Sequence, residues 1–270
     1  MFNKFFGLML GASIFCIGSI AQASTILFVH DYATGDSNIA TVLTGDGHTV
    51  TTLTGGYNTT TDINADLTGS LGAYDSIFWN ATATGYGALH AAAQFTDLLA
   101  YVTGGGRVFV TGYDSIASPF DPNLINFLGG TSSTDFGGTR NPGPVTGANN
   151  LSTGLFDIQG LVPTGAYGDW DTIYGLGADT VCVAASSTIG GCQWTLRTVG
   201  AGEIAYVNAG ASTSRVENAW TNTSVSGAGA YNAALRNFAA ASSITVPEPA
   251  PLALLGFGLL GLVIARRRRA

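Results

Sequence analysis

Residues whose side chains could do chemistry follow three strand-like runs of the chain. They are His30 and Asp31, Asn80, and then Tyr113, Asp114 and Ser115. An imidazole, carboxylates, an amide and an aromatic ring could together hold a sugar or a divalent ion, and calcium takes carboxylate and carbonyl oxygens. The same residue types also cap helices and close turns, which is the simpler interpretation of them. These residues indicate a candidate ligand site, and the sequence does not define a metal for it.

Catalytic chemistry at these positions has little support from the sequence. Ser115 could be a nucleophile with His30 or His90 as its base. No G-x-S-x-G, Walker A, H-E-x-x-H or C-x-x-C motif is present. The glycine run at residues 104–106 precedes a strand rather than a helix, so it ends a helix and does not bind phosphate. We therefore predict no catalytic residues and no cofactor.

Two cysteines, Cys182 and Cys192, flank a Gly-rich stretch between two strand-like runs. This pattern is typical of a β-hairpin. Neither cysteine has a His or Lys nearby that would lower the pKa of its thiol, which argues against a reactive thiolate. A disulfide across so short a loop is expected to stabilise the fold by roughly 2–3 kcal/mol. The sequence favours this structural bridge.

The elements that would position the candidate site alternate in the first half of the chain. Strands are predicted at Thr25–His30, 48–53, 75–80 and Arg107–Thr111, with helices at 38–44, 62–67 and 88–102. This order implies right-handed crossovers and a mostly parallel, flavodoxin-like α/β sheet flanked by helices. Because ligands bind beyond the carboxyl ends of such strands, the candidate residues would share one edge.

The second half of the chain is richer in strands. A short helix at 121–128 and a long loop at 136–150 precede predicted strands at 170–174, 180–184, 193–197 and 203–207, and Ala230–Ala241 forms the last helix. We predict that both halves form a single globular α/β domain.

Several segments together resemble the class I glutamine amidotransferase-like fold in its broad sense. They include ILFVHD, YDSIFWN, the helix running into GGGRVFV, and the late run GAGEIAYV. The enzymes of that family place a Cys at the turn after a central strand, with a His and an acid later. The matching turn here, residues 111–115, has no Cys, and no His follows His90. The resemblance implies the fold over residues 25–241 but not the activity.

The C-terminal segment has three parts in a fixed order. Pro247, Glu248 and Pro249 come first, an apolar run at residues 252–264 follows, and Arg266, Arg267, Arg268 and Arg269 come last. A permanent membrane helix needs about 20 apolar residues, so this run is short for one. The arginines would keep the chain end on the cytoplasmic side. The order resembles the PEP-CTERM sorting signal, which implies export and processing by an exosortase; an uncut single-pass anchor is the alternative.

The N-terminal segment also predicts export. Lys4, an apolar run at 5–20 and Ala21-Gln22-Ala23 form a signal peptide with an A-x-A cleavage site before Ser24. The predicted organisation is a signal peptide at 1–23, one domain at 24–245 and the sorting signal at 246–270. The formal charge of −7 then becomes about −11, five arginines against sixteen carboxylates. So acidic a surface excludes electrostatic binding of nucleic acid.

These observations predict an exported, exosortase-processed protein of the cell envelope or extracellular matrix. We expect it to be non-enzymatic and associated with exopolysaccharide. The alternative is an envelope hydrolase, or a carbohydrate- or metal-binding module, that uses the carboxyl ends of the strands. The expected processing partners are signal peptidase and exosortase, with a transient inner-membrane intermediate held by the C-terminal helix.

Overall fold

The computed structural model describes residues 23–30, 38–54, 71–81, 92–112, 116, 122–134, 142–164, 171–209 and 217–241 of the 270-residue chain. The signal peptide, the sorting signal and the predicted helix at 62–67 lie outside the described residues. Within those ranges, no helix has the length and apolar character required to cross a membrane.

Four strands of the first half of the chain and one late strand form the parallel part of the nine-stranded sheet that the described residues contain. They are β1 Thr25–His30, β2 Thr49–Thr54, β3 Ser76–Asn80, β4 Arg107–Thr111 and β9 Gly202–Val207. These strands lie side by side in the order β2-β1-β3-β4-β9, and every neighbouring pair is parallel. This is the 2-1-3-4-5 order of flavodoxin-like folds. The predicted fold class is confirmed.

The second half adds the antiparallel strands β5 (Ser132–Thr134), β6 (Thr172–Tyr174), β7 (Thr180–Ala185) and β8 (Cys192–Val199). β8 pairs with β9 on one side, and on the other side it pairs with β7 and β6. β6 in turn pairs with β5. β9 therefore joins the parallel and antiparallel halves into one continuous sheet.

Helices cover both faces of the sheet. They are α1 Asn38–Gly45, α2 Ala92–Thr103, α3 Pro122–Phe127, α4 Glu217–Thr221 and α5 Ala230–Ala241, with 3-10 turns at Leu71–Ala73 and Gly227–Gly229. One apolar core packs α1, α4 and α5 on the sheet, where Phe78 and Phe109 stack at 5.2 Å. The other core packs α2 and α3 on the opposite face, where Phe95 and Phe127 lie 5.0 Å apart.

The structure contains a strand and an α-helix that the sequence did not predict, besides shifts of one or two residues in several bounds. β5 and α4 were not predicted, because β5 consists of three polar residues and α4 of five residues with no helical repeat of apolar positions. In the described part of the predicted loop at 136–150 there is one isolated bridge, between Pro142 and Ser186.

Candidate functional site

The pairing register places the ends of three neighbouring strands in one row. His30 pairs with Asn80, and Asn80 pairs with Thr111. Neighbouring strands are about 4.8 Å apart, so this row spans roughly 10 Å at the carboxyl edge of the sheet. Asn80 is fully buried, and the Thr111 hydroxyl donates to the Ala209 carbonyl at 2.9 Å.

The structure does not test the rest of the predicted site. Asp31, Tyr113, Asp114 and Ser115 lie outside the described residues, as does His90, and only the backbone of His30 is described. The proposed convergence of these side chains stays a prediction. Within the described ranges no group of His, Cys, Asp and Glu could hold a metal ion.

A cluster that the sequence did not predict lies on the α2 side of the same edge. We call it the buried polar cluster, and it consists of Asp171, Gln193, Thr195, Tyr206 and Asn208. The Tyr206 hydroxyl donates to an Asp171 carboxylate oxygen at 3.4 Å, and the Asn208 amide donates to that hydroxyl at 3.0 Å. All five side chains are removed from solvent at the junction of β8 and β9.

Asp171 connects this cluster to the segment that carries the predicted site. Its carboxylate accepts the backbone N–H of Ile116 at 2.9 Å. Ile116 directly follows Ser115 in the sequence. A buried hydrogen bond of this kind holds its partner in position. Asp171 therefore fixes the backbone of Ile116, the residue directly after Ser115.

Gln193 is the least satisfied member of the buried polar cluster. It is fully buried, and neither its amide nitrogen nor its amide oxygen has a hydrogen-bond partner among the described residues. The same holds for the Thr195 hydroxyl. Each unsatisfied buried group costs about 1–3 kcal/mol. Gln193 and Thr195 lie two positions apart on β8, so three polar atoms without a partner among the described residues lie on the same side of that strand.

The predicted disulfide between Cys182 and Cys192 is confirmed. The sulfurs are 2.08 Å apart and the Cα atoms 5.6 Å apart, across the antiparallel pair β7 and β8. Because the two sulfurs are bonded to each other, neither cysteine of the domain can act as a thiolate nucleophile.

Comparison with known proteins identifies the C-terminal segment. Residues 245–269 match the PEP-CTERM protein-sorting motif. Among curated proteins, no sequence matches the chain.

Solved structures match the chain at low sequence identity. A cold-adapted β-galactosidase from Rahnella sp. R3 matches with 14% identity over 79% of this chain and a TM-score of 0.49, and this chain spans only 31% of it. The N-terminal domain of mmIFT52 matches with 14% identity over 83% of this chain and 100% of that domain, at a TM-score of 0.52. A putative ThuA-like protein from Parabacteroides merdae ATCC 43184 matches with 13% identity over 85% of this chain and 94% of its own, at 0.47.

At these identities the structural likeness concerns the fold alone. The resemblance to the class I glutamine amidotransferase-like fold is not confirmed. The sorting motif carries the functional information. It supports an exported protein that an exosortase processes and that is delivered to the cell envelope or surface.

Proposed function

We propose that the processed protein is a non-enzymatic component of the cell envelope or extracellular matrix, associated with exopolysaccharide. The observation that carries this proposal is the PEP-CTERM motif at residues 245–269. The motif directs the chain to export across the inner membrane. The domain at 24–245 is the part that remains on the far side of that membrane after processing.

The membrane step follows from the length of the apolar run. Residues 252–264 are too few to span a bilayer without local thinning, and the arginines after them resist translocation. Pro247 and Pro249, the prolines of the triplet, disfavour helix and leave an extended segment accessible to the processing enzyme. The apolar run and the arginines therefore hold the chain in the membrane only transiently, and processing removes them.

The chemistry of the domain supports a non-enzymatic role. Disulfides persist in oxidising compartments outside the cytosol, which fits the bridge between β7 and β8. That bridge also occupies both cysteines, so the thiol chemistry of amidotransferase-type enzymes has no nucleophile in the domain.

Intact mass of the protein from its native host tests the processing. The wild-type protein should lack residues 1–23 and the arginine cluster. A Pro247→Ala, Glu248→Ala, Pro249→Ala variant should keep the arginine cluster and stay with the membrane. Pro251→Ala, just outside the triplet, is the matched control and should be processed normally. Recovery of the wild-type protein from the cytosol with both ends intact would refute the proposal.

Fractionation tests the matrix association. The mature protein should co-purify with extracellular polysaccharide and be released when that polysaccharide is digested. A protein that leaves the cells freely in the medium, unaffected by digestion, would contradict this part of the proposal while leaving the processing intact.

A second candidate function is a hydrolase or a carbohydrate- or metal-binding module at the carboxyl ends of the strands. The hydrogen bond from the Ile116 backbone to Asp171 favours it, because it fixes the residue that follows Asp114 and Ser115 in the sequence. An Asp31→Ala, Asp114→Ala variant should then lose calcium binding in calorimetry or hydrolysis of chromogenic glycosides. Asp157→Ala, an exposed carboxylate in another loop, is the control. Identical behaviour of the two variants would remove this candidate.

A further inference from the structure

A groove of about 770 Å³ lies at the opposite, amino-terminal edge of the parallel strands. We call it the amino-edge groove. Its volume falls within the range of small-molecule and cofactor sites. The residues with side chains or backbone suited to recognition along it are Tyr74, Asp75, Asp97, Tyr101, Asn150 and Glu203.

Glycines bring the walls of this groove together. A Cβ added to Gly202 would lie 2.1 Å from the Gly106 carbonyl oxygen and 2.3 Å from that of Val102. A Cβ on Gly106 would meet ring atoms of Tyr101 at 2.3 Å. Only glycine allows this approach of the turn before β4 to the turn before β9. The glycine runs therefore shape a binding surface as well as ending α2.

Tyr101 is held in place along the groove. Its ring packs against Gly106, it is half-buried, and its hydroxyl donates to the Tyr74 carbonyl at 3.1 Å. An aromatic ring that is fixed before binding offers apolar contact area at little cost in conformational entropy. Such a ring can pack against the C–H face of a pyranose while polar groups beside it take the hydroxyls.

Among the described residues that line the groove, Arg107 is the one cation, and it already has partners. Its guanidinium pairs with Glu203 at 2.7 Å, donates to the Phe238 carbonyl at 2.9 Å, and lies 4.0 Å from the centre of the Phe238 ring. The Asn150 amide donates to the same Glu203 oxygen at 2.8 Å. This arginine is also buried, so it is not available to an incoming anion.

Among the described residues that line the groove, the remaining charge is negative. Asp75 and Asp97 are exposed, and the carbonyl end of α2 lines the same groove. Oδ2 of Asp75 already accepts the Thr25 backbone N–H at 2.7 Å and the Thr25 hydroxyl at 2.9 Å, so Asp75 offers its other carboxylate oxygen. A helix C-terminus carries a partial negative charge, which adds to that of the carboxylates. The negative electrostatic potential along the groove disfavours phosphate, sulfate and uronate groups. It favours hydrogen-bond donors such as hydroxyl and ammonium groups.

We propose that the amino-edge groove binds a pyranose glycan segment that carries no anionic groups. This inference rests on the proposed matrix function and names the ligand chemistry and the site through which the domain would hold polysaccharide. Tyr101 supplies the stacking surface, and Asp75 and Asp97 accept hydrogen bonds from the sugar. Neutral glycans and amino-sugar glycans share this chemistry.

Calorimetric titration of the processed protein with defined oligosaccharides tests the proposal. Cellohexaose represents a neutral glycan, a glucosamine hexamer an amino glycan, and hexagalacturonate an anionic one. Binding of either or both of the first two, with no binding of the third, is the expected result. Asp97→Asn should weaken the glucosamine hexamer more than cellohexaose, because the ammonium group depends more on the carboxylate.

A groove-filling variant places the binding at this edge. Ala100 is exposed on α2 and lines the groove, so Ala100→Trp should weaken glycan binding roughly tenfold or more, about 1.4 kcal/mol. Thr41→Trp adds the same ring to an exposed position of α1 that does not line the groove, and it should bind as the wild type does. Circular dichroism checks that both variants fold.

Three results would overturn the proposal. They are failure of all three hexamers to bind, preference for the anionic hexamer, and unchanged binding by folded Ala100→Trp protein. The proposed function fails on separate measurements, the intact mass and the fractionation, so a matrix protein that holds polysaccharide elsewhere would be recognised as such.

Discussion

His48 shows how a single buried side chain makes stability depend on pH. Its Nδ1 accepts the backbone N–H of Ser24 at 3.2 Å and lies 2.8 Å from the Ser24 hydroxyl. A nitrogen that accepts hydrogen bonds carries no proton, so the imidazole is neutral. Burial lowers the pKa of His48, while nearby Asp46, itself paired with Arg236 at 2.6 Å, raises it.

Acid should therefore destabilise the fold through His48. The pKa is 6.5 in the unfolded chain and lower in the folded one, so the unfolded chain binds more protons below pH 6.5. The stabilisation is complete above pH 6.5 and is lost as the pH falls from there through the folded pKa. His48→Asn, which keeps a short polar acceptor but cannot titrate, should flatten this dependence. Urea unfolding between about pH 7.5 and 5.5 measures it. The chain used keeps at least one residue before Ser24, because cleavage there would turn the Ser24 N–H into a terminal amine that titrates in the same range. The argument is contradicted if the free energy of unfolding depends on pH equally in the wild type and in His48→Asn.

Arg107 is a buried cation at the first residue of β4, and its partners hold the amino end of that strand in place. Burial lowers its pKa and Glu203 raises it, and both effects act on a group that stays charged at neutral pH. Arg107→Met should cost about 3 kcal/mol of unfolding free energy, because it leaves Glu203 and the Phe238 carbonyl without their partner.

A surface pair provides the control for Arg107. Asp179 pairs with Arg197 at 2.8 Å, but its side chain is 41% exposed. Asp179→Asn should therefore cost less than about 1 kcal/mol. Similar losses for the two variants in denaturant unfolding would show that burial does not set the strength of the Arg107 pair.

The sequence identified residue types at this scale but not their partners. Ser24, the partner of His48, lies 24 positions away in the sequence. Arg107 and the Phe238 carbonyl are 131 positions apart. Asp171 and Gln193 gave no motif at all, because their environment arises only when β6, β8 and β9 assemble.

The two glycine turns are the elements on which the sheet junction depends. Gly202→Ala should destabilise the protein by about 3 kcal/mol, because its Cβ would overlap the carbonyl oxygens of Gly106 and Val102, which are backbone atoms that cannot rotate away. Gly45→Ala at the end of α1 has open space around its Cβ and should change stability by less than about 1 kcal/mol. Thermal unfolding measures both, and equal effects would refute the packing argument.

Elements with a strong local pattern were predicted well. The bounds of β1, β4 and α5 agree with the sequence to the residue, because each is a buried apolar run or carries apolar residues at helical spacing. β5 has no such pattern and is defined by its pairing with β6. A strand that forms only because a neighbouring strand pairs with it has no recognisable pattern in its own residues.

At the scale of the whole molecule, the parallel half follows from the alternation of strands and helices, whose crossovers allow few arrangements. The order β9-β8-β6-β5 does not, since antiparallel partners are fixed by distant contacts. The carboxyl edge of the sheet was expected to hold a site on general grounds. The amino-edge groove was not, because its described lining comes from five separate segments of the chain.

The charge of the whole molecule separates the domain from its C-terminal segment. Residues 24–245 carry about −11, five arginines against sixteen carboxylates, while residues 246–270 carry four arginines and one glutamate. The processed protein should therefore not bind duplex DNA or phosphatidylglycerol vesicles, even at about 10 mM salt, where the Debye length is about 30 Å.

The chain that retains residues 246–270 should bind those vesicles through its apolar run and arginines. Replacing Arg266, Arg267, Arg268 and Arg269 by Gln should weaken this binding by about 1 kcal/mol for each charge removed. Vesicle flotation measures all three proteins. Flotation of the processed protein with the vesicles would show that the domain itself binds a membrane surface. That result would contradict the assignment of membrane binding to residues 246–270 alone.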